Sequence, residues 1–158
     1  MQKKNLLDLN AVLADVADKK AGVKFIYFVS KNKRLIEAEI ESLKEAAKPS
    51  QEYIDYETKR IALAKKHAKK KDGEFVIENR NYVLENEEAF NTELDTLREA
   101  YKEKIKEQQE REKQLESVLE EAVDIKLHKI KLSDLPDNIL SSNQLTVLTA
   151  LDILIDEE

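Results

Sequence analysis

The sequence predicts a mainly α-helical protein: a long antiparallel helical, coiled-coil hairpin, with a β-hairpin at its tip and a small α/β base built from the N- and C-terminal segments. Three observations predict it. Gly and Pro occur only twice each in 158 residues, so few positions interrupt a helix. Charged residues make up 38% and apolar residues 41%, a balance that suits paired helices with many solvated positions for each buried one. Apolar residues recur in steps of three and four on both sides of a short β-prone stretch around residue 79. The length fits one elongated domain, 1–158, with the hairpin over 23–122, its tip over 72–86, and the base from 1–22 and 123–158.

Along the chain, Asp8–Lys20 carries Leu9, Leu13 and Val16 at helical spacing and ends near Gly22. Lys3–Leu7 before it is compatible with extended backbone. From Val23, the residues Ile26, Val29, Ile36, Ile40, Leu43 and Ala47 form a heptad seam with Lys33 as its polar intruder. Pro49 removes a backbone donor and clashes with the preceding turn, so the helix kinks or breaks there. Ser50 caps a restart, and the seam resumes at Ile54, Ile61, Ala64 and Ala68.

Lys71-Asp72-Gly73 ends that helix. Phe75, Ile77, Tyr82 and Leu84 flank the turn Glu78-Asn79-Arg80-Asn81 and read as one β-hairpin over 74–84. Asn86 starts a helix that runs to Glu121, with the stripe Phe90, Leu94, Leu97, Tyr101, Leu115, Val118 and Ala122. Antiparallel pairing about residue 79 sets Leu97 against Ile61, Leu94 against Ala64 and Phe90 against Ala68. It also sets Leu115 against Leu43, Val118 against Ile40 and Ala122 against Ile36. The polar stretch centred on Gln108 then falls opposite Pro49-Ser50.

After Ala122, the alternation of Val123, Ile125 and Leu127 slips at His128-Lys129 and resumes at Ile130 and Leu132, as in a strand with a bulge. A turn follows over Ser133–Asp137. Ser141 and Gln144 have capping-box spacing and open a last helix. Leu145, Leu148, Leu151 and Ile155 share one face of it, widened by Val147, Ile153 and Leu154. That face either completes the base around Phe25, Phe28 and Leu35 or forms an oligomer or partner seam.

The stretch Lys24-Phe25-Ile26-Tyr27-Phe28-Val29-Ser30-Lys31-Asn32-Lys33, followed by Leu35 and Glu37-Ala38-Glu39-Ile40, resembles small helical proteins encoded by phages and prophages of Gram-positive bacteria. Pro49-Ser50-Gln51-Glu52-Tyr53 with Tyr56-Glu57 and Arg60, and Leu132-Ser133-Asp134-Leu135-Pro136, are similar to later blocks of that group. The resemblance is one of pattern over most of the chain. It carries no catalytic motif and implies a phage accessory role. The helix–β-hairpin–helix order is also similar to that of prefoldin subunits. Those lack the strand and apolar helix after Ala122, which argues against a prefoldin function.

Composition narrows the chemistry. The net charge of −6 disfavours a general nucleic-acid coat. There is no cysteine, hence no disulfide, thiol nucleophile or thiolate metal site. Met1–Asn10 lacks the pattern of a signal peptide, and no run approaches the roughly 20 apolar residues of a membrane span. The expected location is the cytoplasm, that of the host for a phage protein. The two histidines, His67 and His128, lie in no metal-binding spacing. Glu37 with Glu41 and Glu103 with Glu107 share helix faces, as solvated helices routinely do. No serine has a nucleophile-elbow context, and Gly22 and Gly73 cannot build a phosphate loop. No catalytic residue, metal or cofactor is expected.

The candidate partner-binding residues are therefore Lys65, Lys66, Lys69, Lys70, Lys71, Arg80 and Tyr82, which cluster at the tip. The stretch 87–121 is acid-rich, with twelve Asp or Glu against six Lys or Arg, and offers either a solvated face or a mimic of nucleic acid. The leading expectation is a non-enzymatic protein that binds and modulates or inhibits a host or phage protein, such as a host defence or nucleic-acid enzyme. The alternatives are a self-assembling coiled-coil or chaperone-like scaffold, and a nucleic-acid binder acting through the basic tip.

Overall fold

The computed structural model describes residues 1–155, and the chain is mainly helical with small strand pairs. In chain order the elements are α1 (Lys3–Val16), α2 (Val23–Ala47), α3 (Gln51–Lys66), β1 (Lys70–Lys71), β2 (Glu74–Phe75), β3 (Ile77–Glu78), β4 (Asn81–Tyr82), α4 (Glu87–Ala100), α5 (Lys102–Glu120), β5 (Ile130–Lys131), α6 (Ser142–Ala150) and β6 (Leu154–Ile155). β1 pairs with β2 and β3 with β4 antiparallel, whereas β5 and β6 are parallel. Two compact units result: Met1–Ala47 with the chain from Gln114 onward, and Lys48–Lys113. Positions 156–158 of the expected base lie outside the described residues.

The first unit holds the larger core. α1 buries Leu6, Leu9, Val12, Leu13 and Val16, a full helical stripe. Because Leu6 belongs to that stripe, the helix starts at Lys3 rather than Asp8, and it ends at Val16 rather than Lys20. α2 buries Phe25, Phe28, Val29, Asn32, Ile36, Ile40 and Leu43. The expected seam is correct at Val29, Ile36, Ile40 and Leu43 and wrong at its ends, since Ile26 and Ala47 are exposed. Phe25 and Phe28 take the place of Ile26, and the polar position facing inward is Asn32, not Lys33. Leu35, placed in the core from sequence, is exposed.

Only Ile130–Lys131 of the expected strand joins a ladder. The burial pattern still alternates: Val123, Ile125 and Leu127 face inward, Asp124 and Lys126 outward, and the phase slips at His128 before Ile130. The slip has a visible cause. Asn32 is fully buried; its Nδ2 donates to the His128 carbonyl at 2.9 Å and its Oδ1 accepts from the His128 N–H at 2.8 Å. One amide side chain thus supplies the donor and acceptor that a neighbouring strand would have given.

Upstream of that segment, Val123 N–H donates to the Met1 carbonyl (2.8 Å) and Lys3 N–H to the Glu121 carbonyl (3.0 Å). Ala122 bridges to Gln2 instead of facing Ile36. Lys3 Nζ is held by Glu121 at 2.9 Å and Glu39 at 3.3 Å, and these bonds raise its amine above the ordinary value.

The C-terminal helix is shorter than its apolar run. Ser141 caps it, with the reciprocal Gln144 contact of a capping box, as the spacing implied. It stops at Ala150. Asp152 adopts φ 54°, and the β-branched, strand-prone Ile153-Leu154-Ile155 leaves the helix to pair alongside β5. Lys129 pairs with Asp152 across this junction.

In the second unit, α3 begins after Pro49 with Ser50 Oγ accepting from the Tyr53 N–H (3.2 Å), so proline ends one helix and serine starts the next. α3 and α4 pack antiparallel. Tyr101 accepts from Lys59 Nζ (2.5 Å) and donates to Asp55 (3.1 Å), while Lys66 and His67 meet Glu93 at 2.7 and 3.1 Å. The expected seam holds at Ala64, which is half-buried, and at Ala68, which is buried, and fails at Ile54 and Ile61. Ile54 and Ile61 are 42% and 43% exposed, and Tyr53, Tyr56, Leu63 and His67 turn inward instead. Helical positions one residue apart lie about 100° apart, so aromatic bulk one position away is enough to redirect the face. The expected single helix over 87–121 is interrupted at Tyr101, which caps α4 with φ −112° and ψ 13°. Arg111 donates to the Lys48 carbonyl at 2.7 Å, so the polar stretch does meet the backbone beside Pro49.

Replacing Asn32 by alanine strands both the N–H and the C=O of His128. Each lost bond to a poorly solvated backbone group costs on the order of 1–2 kcal/mol, so Asn32→Ala is expected to lower urea-unfolding stability by about 2–4 kcal/mol. A change below about 0.5 kcal/mol would contradict this role for the amide.

Candidate functional site

The seven basic and aromatic positions singled out from sequence all lie in the second unit. Lys65 and Lys66 close α3, Lys69–Lys71 lead into and form β1, Arg80 sits in a turn and Tyr82 in β4. The structure replaces the expected single hairpin with two. Asp72-Gly73 connects β1 to β2, and Asn79-Arg80 connects β3 to β4. All four turn residues have positive φ: 54°, 87°, 48° and 66°. Two successive positive-φ residues are the type I′ pattern, whose twist matches that of the flanking strands. Asp72-Gly73 is therefore a hairpin turn and not a helix stop; α3 has already ended at Lys66.

The hairpins are joined by a closed ring of three backbone bonds. Lys69 N–H donates to Val83 O (2.7 Å), Val83 N–H to Val76 O (2.9 Å) and Val76 N–H to Lys69 O (2.9 Å). Glu85 N–H donates to His67 O (2.8 Å), and Ala68 bridges to Leu84, which fastens this β-cap to the ends of α3 and α4. The ring members are evenly spaced in sequence, and Phe75-Val76 and Tyr82-Val83 occupy equivalent places. That repeat was the signal available in the sequence.

Side chains on the cap form one cluster. Lys70 Nζ stands 5.0 Å from the Phe75 ring centre, and Phe75 meets Tyr82 edge-on at 5.4 Å. Phe75 and Ile77, which were not among the expected site residues, are 39% and 59% exposed. Lys65, Lys69, Lys70, Lys71 and Arg80 are exposed and form no ion pair among the described residues. Lys66 is different, because Glu93 takes it through both carboxylate oxygens at 2.7 Å. Bonds from Lys66 first and His67 second hold the Glu93 carboxyl below the ordinary glutamate value.

The apolar C-terminal positions do not make a common accessible face. Leu148 is fully buried in the first unit, Leu151 packs against the same core, and Ile155 lies in β6 beside Lys131. The helix ends too early to carry Ile155, so the expected seam Leu145, Leu148, Leu151 and Ile155 is divided between a helix and a strand. On the acid-rich stretch, Asp95, Glu99 and Glu107 are partly spent on Arg98, Lys102 and Lys104. Among the described residues, no group of three or more His, Asp or Glu side chains converges as a metal-ligand set, and no helix is long and apolar enough to cross a membrane. His67 faces Glu93 and Phe90 in the second unit, and His128 packs edge-on to Tyr27 at 5.2 Å in the first.

Two outcomes are expected from this geometry. Arg80 holds a left-handed conformation that costs a side chain about 1 kcal/mol, so Arg80→Gly should raise unfolding stability by up to about 1 kcal/mol while removing a cap cation. Because the Glu93 carboxyl is depressed in the folded state, its contribution is present above the ordinary glutamate value and is lost as pH falls through the folded one. Protection of the α3 and α4 amides against exchange, relative to their intrinsic rates, should fall as pH drops below the ordinary glutamate range, and Glu93→Gln should flatten that dependence.

The chain matches no protein-family model, no curated protein and no solved structure.

Proposed function

We propose that this chain is a non-enzymatic binding protein that engages an acidic surface of another protein through its β-cap. The observation that carries the reading is the cap itself: exposed cations without carboxylate partners, set around exposed Phe75 and Ile77 on a backbone closed by its own hydrogen bonds. A rigid aromatic anchor ringed by charge is the arrangement that concentrates interface energy and steers encounter. Arg80 supports it, since a non-glycine residue in a left-handed turn position carries strain that folding does not require and contact with a partner explains. In this reading the paired α3 and α4 act as a coiled-coil hairpin that presents the cap. The role is that of a phage accessory protein which modulates or inhibits a host protein in the cytoplasm.

The test is affinity capture from nuclease-treated bacterial lysate, comparing the full chain with a variant carrying Lys69→Glu, Lys70→Glu and Lys71→Glu. The reading expects a protein retained by the parent in a salt-dependent manner, with at least about tenfold less on the variant at unchanged circular dichroism. Equal retention on both, or a gel shift with single-stranded nucleic acid in place of any protein partner, overturns it.

A further inference from the structure

We infer that the groove between α3 and the α4–α5 stretch of the second unit binds a carboxylate-bearing, extended peptide segment. The groove is open, has a volume of about 760 Å³, and uses none of the β-cap residues, so the inference stands apart from the reading above. α3 contributes Tyr53, Tyr56 and Arg60; α4 and α5 contribute Arg98, Lys102 and Lys106.

Two groups in it are unspent. Tyr56 is only 6% exposed, with its ring between Tyr53 and Tyr101 at centroid distances of 5.8 and 5.7 Å. Its hydroxyl has no hydrogen-bond partner among the described residues, yet the oxygen is not sealed from solvent. The hydroxyl, uncommitted within the chain, is free to bond a ligand in the groove it lines. Lys106 has no ion pair among the described residues.

The remaining cations are held by neighbours three residues away in sequence: Arg60 by Glu57 at 2.7 Å, Arg98 by Asp95 at 3.3 Å and Lys102 by Glu99 at 3.2 Å. The Arg98 and Lys102 pairs are exposed and weak and are readily exchanged for a ligand's carboxylate, whereas Arg60 is gripped by both oxygens of Glu57.

The spacing selects the ligand. Arg98, Lys102 and Lys106 recur every fourth residue, about 6 Å apart along a helix. The backbone bonds Tyr101 N–H to Leu97 O and Ile105 N–H to Tyr101 O carry that row across the helix break. Same-face side chains of an extended peptide recur at about 6.6–6.8 Å, which matches. Alternate acidic side chains would meet the cation row while the Tyr56 hydroxyl donates to a backbone carbonyl or carboxylate.

A nucleic acid fits less well. The Tyr56 ring is covered by its aromatic neighbours and offers no stacking platform for a base.

The experiment is fluorescence anisotropy of the full chain with a labelled peptide alternating glutamate and alanine. A lysine–alanine peptide and an oligothymidylate are run beside it. Binding of the glutamate peptide alone is expected, weakened about tenfold by Tyr56→Phe, which keeps the ring and removes only the hydroxyl. Lys106→Gln, on the exposed side of the groove, is expected to weaken it several-fold and decides the matter should the Tyr56 variant lose its fold. No binding of the glutamate peptide, equal binding of the lysine peptide, tighter binding of the oligonucleotide, or indifference to these substitutions overturns the inference.

Discussion

The first unit depends on a single buried amide. The chain after α5 must lie against the α1–α2 core, yet most of it has no strand beside it to accept its backbone hydrogen bonds. Burying peptide groups unpaired costs more than the apolar side chains flanking them return. Asn32 resolves this at His128, where it satisfies both backbone groups from inside α2. The phase of the segment shifts at that residue, so Leu127 and Ile130 both face the core. Ile130 then starts the ladder with β6. A heptad seam with a leucine at position 32 would make a more apolar helix and leave His128 unsatisfied.

The two units are stabilised by different means. In the first, Leu6, Leu9, Phe25, Phe28, Ile36, Leu148 and Ile153 form a continuous buried cluster. In the second, the buried apolar positions are few: Tyr56, Ala68 and Leu94, and the polar stretch adds the buried Gln108. Its helices are tied instead by polar contacts such as Lys59–Tyr101–Asp55 and Lys66–Glu93–His67, and by the aromatic series Tyr53, Tyr56 and Tyr101. Partly exposed polar links contribute little apiece and weaken with salt and pH. Local opening therefore concentrates in the unit that carries both candidate binding surfaces, as is common where partners are recognised.

Much of the helical content was legible because it rests on local rules. The stop at Pro49, the cap at Ser50, the start at Asn86 and the capping box at Ser141 each follow from one or two neighbouring residues. The slip at His128 was also readable as a break in alternation, although its cause, ninety-six positions away in sequence, was not. The β-cap was half legible. Asn79-Arg80 reads as a turn from sequence and is one, while Asp72-Gly73 reads as a helix end because the same residues favour both a helix stop and a hairpin turn.

What the sequence determined by itself was helix class, breakpoints and a basic cluster, all consequences of backbone geometry and local charge. Tertiary structure decided which face of each helix is inside. It turned Ile26, Ile54 and Ile61 outward in favour of Phe25, Tyr53 and Tyr56, because packing selects the bulk that fits a neighbour over the bulk that fits a repeat. It also decided that the last apolar run divides into helix and strand. Ile153–Ile155 gains a ladder partner in β5 only once the chain has folded back, and no local propensity encodes that partner.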